Sequence, residues 1–335
     1  MQTHTADPVT TPPVLAAVDG SEHSLRTLDW AVEAARARGA ELHVVHVRPD
    51  HPRVAAPGEA LVRPPVWDTD PVLALVRAHL AGREDLPPLN YVSRDGTPAV
   101  TLTELAAGAQ LLVMGSRGLG GFASLLLGSN SRVCAAQAPC PVMVVPHAAR
   151  LAAEDGSADS GERRVVLGLA PDETTEDVVD FAFAEARRRG AALQVVSTHL
   201  VPLSSLTLVG SLVAERGGGL PPGIPGGEAT EAARELAENQ RTRLQPFLTR
   251  HYPDVTVEAV VAPGDPAGRL VTASQRADLI VVGRHRRRLR AGSLLMGSVS
   301  NAVLLHALCP VAVVPVRAED PPVTTPGSGR GQGAG

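Results

Sequence analysis

The chain repeats itself, and this constrains its fold more than any other feature of its 335 residues. Residues 14–20 (VLAAVDG) are strand-like, residues 24–38 have a helical pattern, and Gly39-Ala40 leads into a second apolar run at 42–47. The same succession returns at 165–170 (VVLGLA), at the helical stretch 176–189, at Gly190-Ala191 and at 193–196. Further along, Gly96-Thr97-Pro98-Ala99 matches Gly264-Asp265-Pro266-Ala267, and residues 111–115 (LLVMG) match 279–283 (LIVVG). Residues 140–146 (CPVMVVP) match 309–315 (CPVAVVP). The repeat is too long for a solenoid unit and reads as a duplicated domain. The offset grows along the chain, which requires an insertion in the second copy, and the stretch from Leu200 to Gly227 with its glycine- and proline-rich end (GGGLPPGIPGG) is the obvious place.

Within each copy, short Val- and Leu-rich runs alternate with stretches whose apolar residues recur at helical spacing, such as Leu25, Leu28, Ala31, Val32 and Ala35. Uninterrupted apolar strands fit a parallel sheet buried on both faces. The expected fold is therefore α/β, two tandem doubly wound parallel-sheet domains, with ligands at the carboxyl ends of the strands where strand order reverses. The expected boundaries are domain 1 at 13–147, a polar linker at 148–162, domain 2 at 163–317 and a disordered Pro/Gly/Ser/Thr-rich tail at 318–335.

Composition removes several classes of function. The formal net charge is −4 and aromatics make up 2%, so neither a basic field nor stacking platforms recruit nucleic acid. All 31 Lys-plus-Arg residues are Arg, which excludes a Walker-type lysine and a Schiff-base lysine. Three Cys build no disulfide framework, and Cys140 and Cys309 read as small buried hydrophobes. No apolar run is long enough to span a membrane and no signal-peptide pattern is seen, so the expected compartment is the cytoplasm.

Residues 111–131 (LLVMGSRGLGGFASLLLGSNS) are the most informative stretch. A strand runs into Gly115 and Gly118, and Gly128 and Ser129 follow after nine intervening residues. Glycines allow close backbone approach to a ligand, and a helix starting near Ser129 offers free N–H groups and the positive end of its dipole. That is an anion site suited to phosphates, with hydroxyls from Ser129 and Ser131 and no need of lysine.

The spacing G-x2-G-x9-G-S, the CPVxVVP strand after it, the VDGSEHS turn at 18–24 and the HVR strand end at 46–48 together resemble the universal stress protein family. The resemblance covers both copies and implies a Rossmann-like fold of the adenine nucleotide alpha hydrolase-like type, with the last strands of the copies, Val142–Val145 and residues 311–314, pairing as an intramolecular pseudo-dimer. It implies ATP as ligand, with Mg²⁺ at the phosphates. Asp19 would contact the nucleoside, with backbone contacts from Ala17 and Val18; Val47 and Met114 would border the adenine. Gly115, Gly118, Gly128, Ser129, Asn130 and Ser131 would cradle the phosphates, with Arg117 beside them.

The second copy departs from this pattern. Ala170 stands where Asp19 stands, and Arg286 replaces the second loop glycine, although Gly297, Ser298 and Ser300 are retained. Weak or absent ATP binding is expected there. The cluster Arg284, His285, Arg286, Arg287, Arg288 and Arg290 reads as a solvated loop, with docking of a phosphate or an acidic partner as the alternative. His46, near the pocket, reads as a hydrogen-bonded structural histidine, with ligand contact as the alternative. No nucleophile elbow or metal-ligand spacing appears. The expected function is an ATP-binding regulator of stress response, able to form a homodimer. A slow ATP hydrolase or adenylate-handling enzyme, with Asp19, His46 and Arg117 as the only candidate groups, and a ligand-free scaffold are the alternatives.

Overall fold

The computed structural model describes residues 11–49, 70–118, 127–147, 162–199, 226–248, 254–284, 286–288 and 294–315. The expected tail, most of the linker and all but the end of the 200–227 insertion lie outside these residues. The first repeat carries β1 (Val14–Val18), α1 (Glu22–Arg38), β2 (Leu42–Arg48), α2 (Pro71–Leu80), β3 (Leu89–Asp95), α3 (Pro98–Leu105), β4 (Leu111–Gly115), α4 (Ser129–Gln137) and β5 (Val142–Val145). The second carries β6 (Arg164–Gly168), α5 (Glu176–Arg189), β7 (Ala192–His199), α6 (Gly226–Leu248), β8 (Val257–Pro263), α7 (Pro266–Ala273) and β9 (Leu279–Arg284). There follow β10 (Arg286–Arg288), β11 (Leu294–Met296), α8 (Ser298–His306) and β12 (Val311–Pro315).

The punctuation of the repeats matches. Gly39 and Gly190 end α1 and α5 in the left-handed region, at φ 58° and 57°, each donating its N–H back to the last helical turn. Gly96 and Gly264 also take positive φ, just ahead of helices opened by Pro98 and Pro266. The spacing predicted a helix from residue 24; it begins at Glu22, because the Ser21 hydroxyl accepts from Ser24 N at 3.1 Å and caps it.

Repeats and compact units do not coincide. One unit joins the first repeat to β10, β11, α8 and β12, and the other holds β6 to β9. In the first unit the strand order is β3-β2-β1-β4-β5-β12. Its first five strands are parallel, and β12 joins β5 antiparallel with Val311 opposite Val144 and Val313 opposite Val142. The expected pairing of the two CPVxVVP strands is thus present. In the second unit the order is β9-β6-β7-β8, all parallel.

The cores follow from the strand sequences. Leu111, Leu112 and Val113 of β4 and Val142 and Met143 of β5 are fully buried, as are Leu28, Ala31 and Val32 of α1. Each large side chain so buried contributes roughly 1.5–3 kcal/mol. Strand order reverses between β1 and β4, the switch point of such a sheet, where Asp19 follows β1 and Gly115 ends β4.

Candidate functional site

Asp19 leaves β1 into a tight turn. Its Oδ1 accepts from Ser21 N at 3.0 Å and from Ser21 Oγ at 2.7 Å. The second oxygen, Oδ2, lies so near Gly118 that a Cβ there would clash with it. The structure thus brings together two residues that the sequence places 99 positions apart, and only a glycine allows the approach.

The loop after β4 is tied at both ends. Ser131 Oγ donates to Gly115 O at 2.7 Å, and Gly128 N donates to Ser116 O at 2.7 Å. Ser116 N donates to Val145 O at 2.8 Å, and Ser116 Oγ accepts from His147 N at 3.0 Å. Buried Ser116 therefore joins loop entry, loop exit and the end of β5. Gly128 caps α4 with no side-chain bond, and Ser129 and Asn130 are exposed at the helix start. The bonds of Ser131 and Gly128 set the start of α4 beside the end of β4, and the first-turn amides have no partner within the helix. Val47 and Met114 are buried at the ends of β2 and β4, and Ala17 and Arg117 are half-buried. Residues 119–126 of the loop lie outside the described residues.

His23, which the sequence did not single out, underlies this loop. Its Nε2 donates to Val145 O at 3.1 Å, and a Cβ on Gly115 would come within 2.8 Å of its ring. The His147 ring is 4.8 Å away, centroid to centroid. Burial first, then the neighbouring His147 charge, push the His23 pKa below 6.5, and the bond to Val145 only partly offsets this. Its Nδ1 is buried with no hydrogen-bond partner among the described residues.

The second repeat lacks these arrangements. Ala170 N donates to Thr174 Oγ1 at 2.9 Å, so a threonine makes the turn and no carboxylate stands in the place of Asp19. A Cβ on Gly283 would meet Val178 rather than a histidine. Arg284, expected in a solvated loop, instead ends β9 and is 2% exposed. Its run of charge hides a strand end that continues the apolar LIVVG pattern. Arg286–Arg288 form β10, which pairs antiparallel with β11, and β11 packs on α4.

The Universal stress protein family profile matches residues 11–146 and 162–315. A universal stress protein of Mycobacterium tuberculosis is 31% identical over 315 residues, covering 90% of this chain and 96% of its own length. A universal stress protein of Mycolicibacterium smegmatis is 30% identical over 309 residues, again covering 90% and 96%. Among solved structures, a functionally unknown protein from Pseudomonas aeruginosa matches 91% of this chain and 92% of its own at a TM-score of 0.56 and 16% identity. A universal stress protein from Archaeoglobus fulgidus matches 91% and 98% at 0.52 and 18%. The likeness to these structures is one of fold. The chain belongs to the universal stress protein family, with two tandem copies of its domain. Among the described residues no helix is long and apolar enough to cross a membrane, and no group of three or more His, Cys, Asp or Glu is placed to hold a metal ion.

Proposed function

We propose that the first repeat binds ATP and that occupancy shifts the protein between conformations or assemblies, a regulatory role in the stress response. The observation that carries this reading is the contact of Gly118 with Asp19 beside the exposed start of α4. It supports a cradle that a side chain would fill, with a carboxylate at one side and a helix N-terminus at the other. Asp19 would take the nucleoside; Ala17 and Val18 would offer backbone groups, and Val47 and Met114 would border the base. The amides and hydroxyls from Gly115, Gly118, Gly128, Ser129, Asn130 and Ser131 would meet the phosphates, with Arg117 adding charge. Mg²⁺ would be held through the phosphate oxygens and neutralise them.

A ligand moves a population only by binding one state better than another. The conformational effect is therefore part of the proposal rather than a consequence of binding alone. Equilibrium titration of the full chain with ATP and Mg²⁺ tests the binding. Gly118→Val should abolish the isotherm while circular dichroism stays native. A variant that binds like wild type would remove this cradle from the site.

A further inference from the structure

Beside Asp19, the strand ends carry a second, separately built feature. Asp70 caps α2, and its side chain is wholly buried. Its carboxylate accepts from Val72 N at 3.0 Å, Leu73 N at 3.2 Å, Ser93 Oγ at 2.6 Å and His46 Nδ1 at 2.8 Å. Burial pushes the Asp70 pKa up, but the bonds from Ser93, His46 and Leu73 outweigh it and hold the group below 3.8. An ionised carboxylate can only accept, so the tautomer assigned to His46 carries its hydrogen on Nδ1. Nδ1 is committed to Asp70, and in the neutral ring Nε2 is left as an acceptor held in one orientation.

The position of this pair relates it to the site. His46 is the register partner of Val18, the residue before Asp19. Val72, in the first turn of α2, lies 3.1 Å from where a Cβ on Gly20 would be. The His46–Asp70 pair and the Asp19–Gly118 contact therefore flank the same short turn.

The second repeat supplies an internal comparison. Gly168 pairs with Val196 as Ala17 pairs with Val45, so Ser197 holds the place of His46. Ser197 Oγ accepts from Gln240 Nε2 at 2.8 Å, and Val261 stands opposite it where Ser93 stands opposite His46. The two repeats thus tie this strand to the helix after it by different polar contacts, His46 to Asp70 in the first and Ser197 to Gln240 in the second. Among the described residues the His–Asp pair occurs only in the repeat that has Asp19.

We infer that His46 reads the nucleoside half of the ligand, its Nε2 accepting a hydrogen bond from a sugar hydroxyl or an exocyclic amine. Asp70 and Ser93 are positioning residues that fix the tautomer. The inference rests on the nucleotide-binding reading of the first repeat. In Asp70→Asn the amide can donate to Nδ1, which turns Nε2 into a donor, while Asn caps a helix as well as Asp.

The test is equilibrium titration of the full chain with ATP, 2′-deoxy-ATP, 3′-deoxy-ATP, inosine triphosphate and inorganic triphosphate. Wild type should prefer ATP about tenfold over the analogue that lacks the donor. Weakening with a deoxy analogue identifies the hydroxyl, and weakening with inosine triphosphate identifies the amine. His46→Phe and Asp70→Asn should bind ATP about tenfold more weakly, lose the preference and hold inorganic triphosphate unchanged. A folded His46→Phe with wild-type affinity and preference overturns the inference, even if Asp70→Asn fails to fold. Equal wild-type affinity for all four nucleotides overturns it as well. If wild type binds none of the nucleotides, the nucleotide-binding reading itself falls.

Discussion

Gly118 stands against the carboxylate of Asp19 so closely that a Cβ on Gly118 would clash with Oδ2. The approach joins the turn after β1 to the loop after β4. Asp19 has two tasks that a substitution can separate. Its Oδ1 holds the Ser21 turn, and the carboxylate is the proposed nucleoside contact. Asp19→Asn keeps an acceptor for the turn and should lose about 1 kcal/mol or less of stability, whereas Asp19→Ala should lose about 1–2 kcal/mol. Both should lose ATP affinity by tenfold or more. Urea denaturation together with titration calorimetry checks the separation; ATP affinity left intact in Asp19→Ala would remove the carboxylate from the site.

Gly115 is constrained from below. An added Cβ would sit 2.8 Å from His23 Cδ2 and 3.2 Å from Arg117 O, so the buried ring or the loop backbone must move. Gly115→Ala should cost about 1–3 kcal/mol. In Gly283→Ala the Cβ would meet Val178 Cγ2 at 3.2 Å, which is tight but less so, and the cost should be smaller. Chemical denaturation of the two variants gives the order directly.

His23 makes stability depend on pH. Its folded pKa lies below 6.5, so the unfolded chain takes up a proton before the native one does. The neutral ring therefore contributes fully above about pH 6.5, and that contribution is lost as pH falls from there through the depressed folded value. Replacing His23 by Asn should flatten the stability profile over this window. Melting temperatures of both proteins at a series of pH values would reveal it, and parallel profiles would count against it.

The last strand of the second repeat is a structural part of the first unit. Val313 is 1% exposed and stands opposite Val142 in the β5–β12 ladder. Val313→Asp would place a carboxylate there and should cost more than about 3 kcal/mol. Because the ladder joins the repeats in sequence, the transition of the first repeat should shift even though its own residues are unchanged. Hydrogen exchange at β4 and β5 reports this locally.

All three cysteines are buried, and burial pushes the Cys134 thiol up to about 11. At pH 8 the Cys134 thiolate is scarce, and burial shields all three sulfurs. A thiol reagent should label none of the three in the native protein and all three after denaturation.

Much of the fold could be read from sequence because it is written locally. Gly39 and Gly190, the two G-x-P-A turns and the apolar runs of β4 and β9 each announce an element within a few residues. The loop glycines were legible for the same reason. His23, Ser116, Asp70 and Ser93 were not, since their roles depend on partners far along the chain. His23 meets Val145 across 122 residues, and Asp70 meets His46 across 24. Arg284 misled in the opposite direction: a run of arginines reads as solvated, yet the strand carries its first member into the interior.

Whether one repeat alone carries the ligand is the central claim. Mass spectrometry of nucleotide released from the fully loaded, washed and then denatured chain tests it most directly, with the amount counted per chain. The account predicts one ATP per chain, and none from Gly118→Val. Two ATP per chain, or an amount unaffected by Gly118→Val, would contradict it.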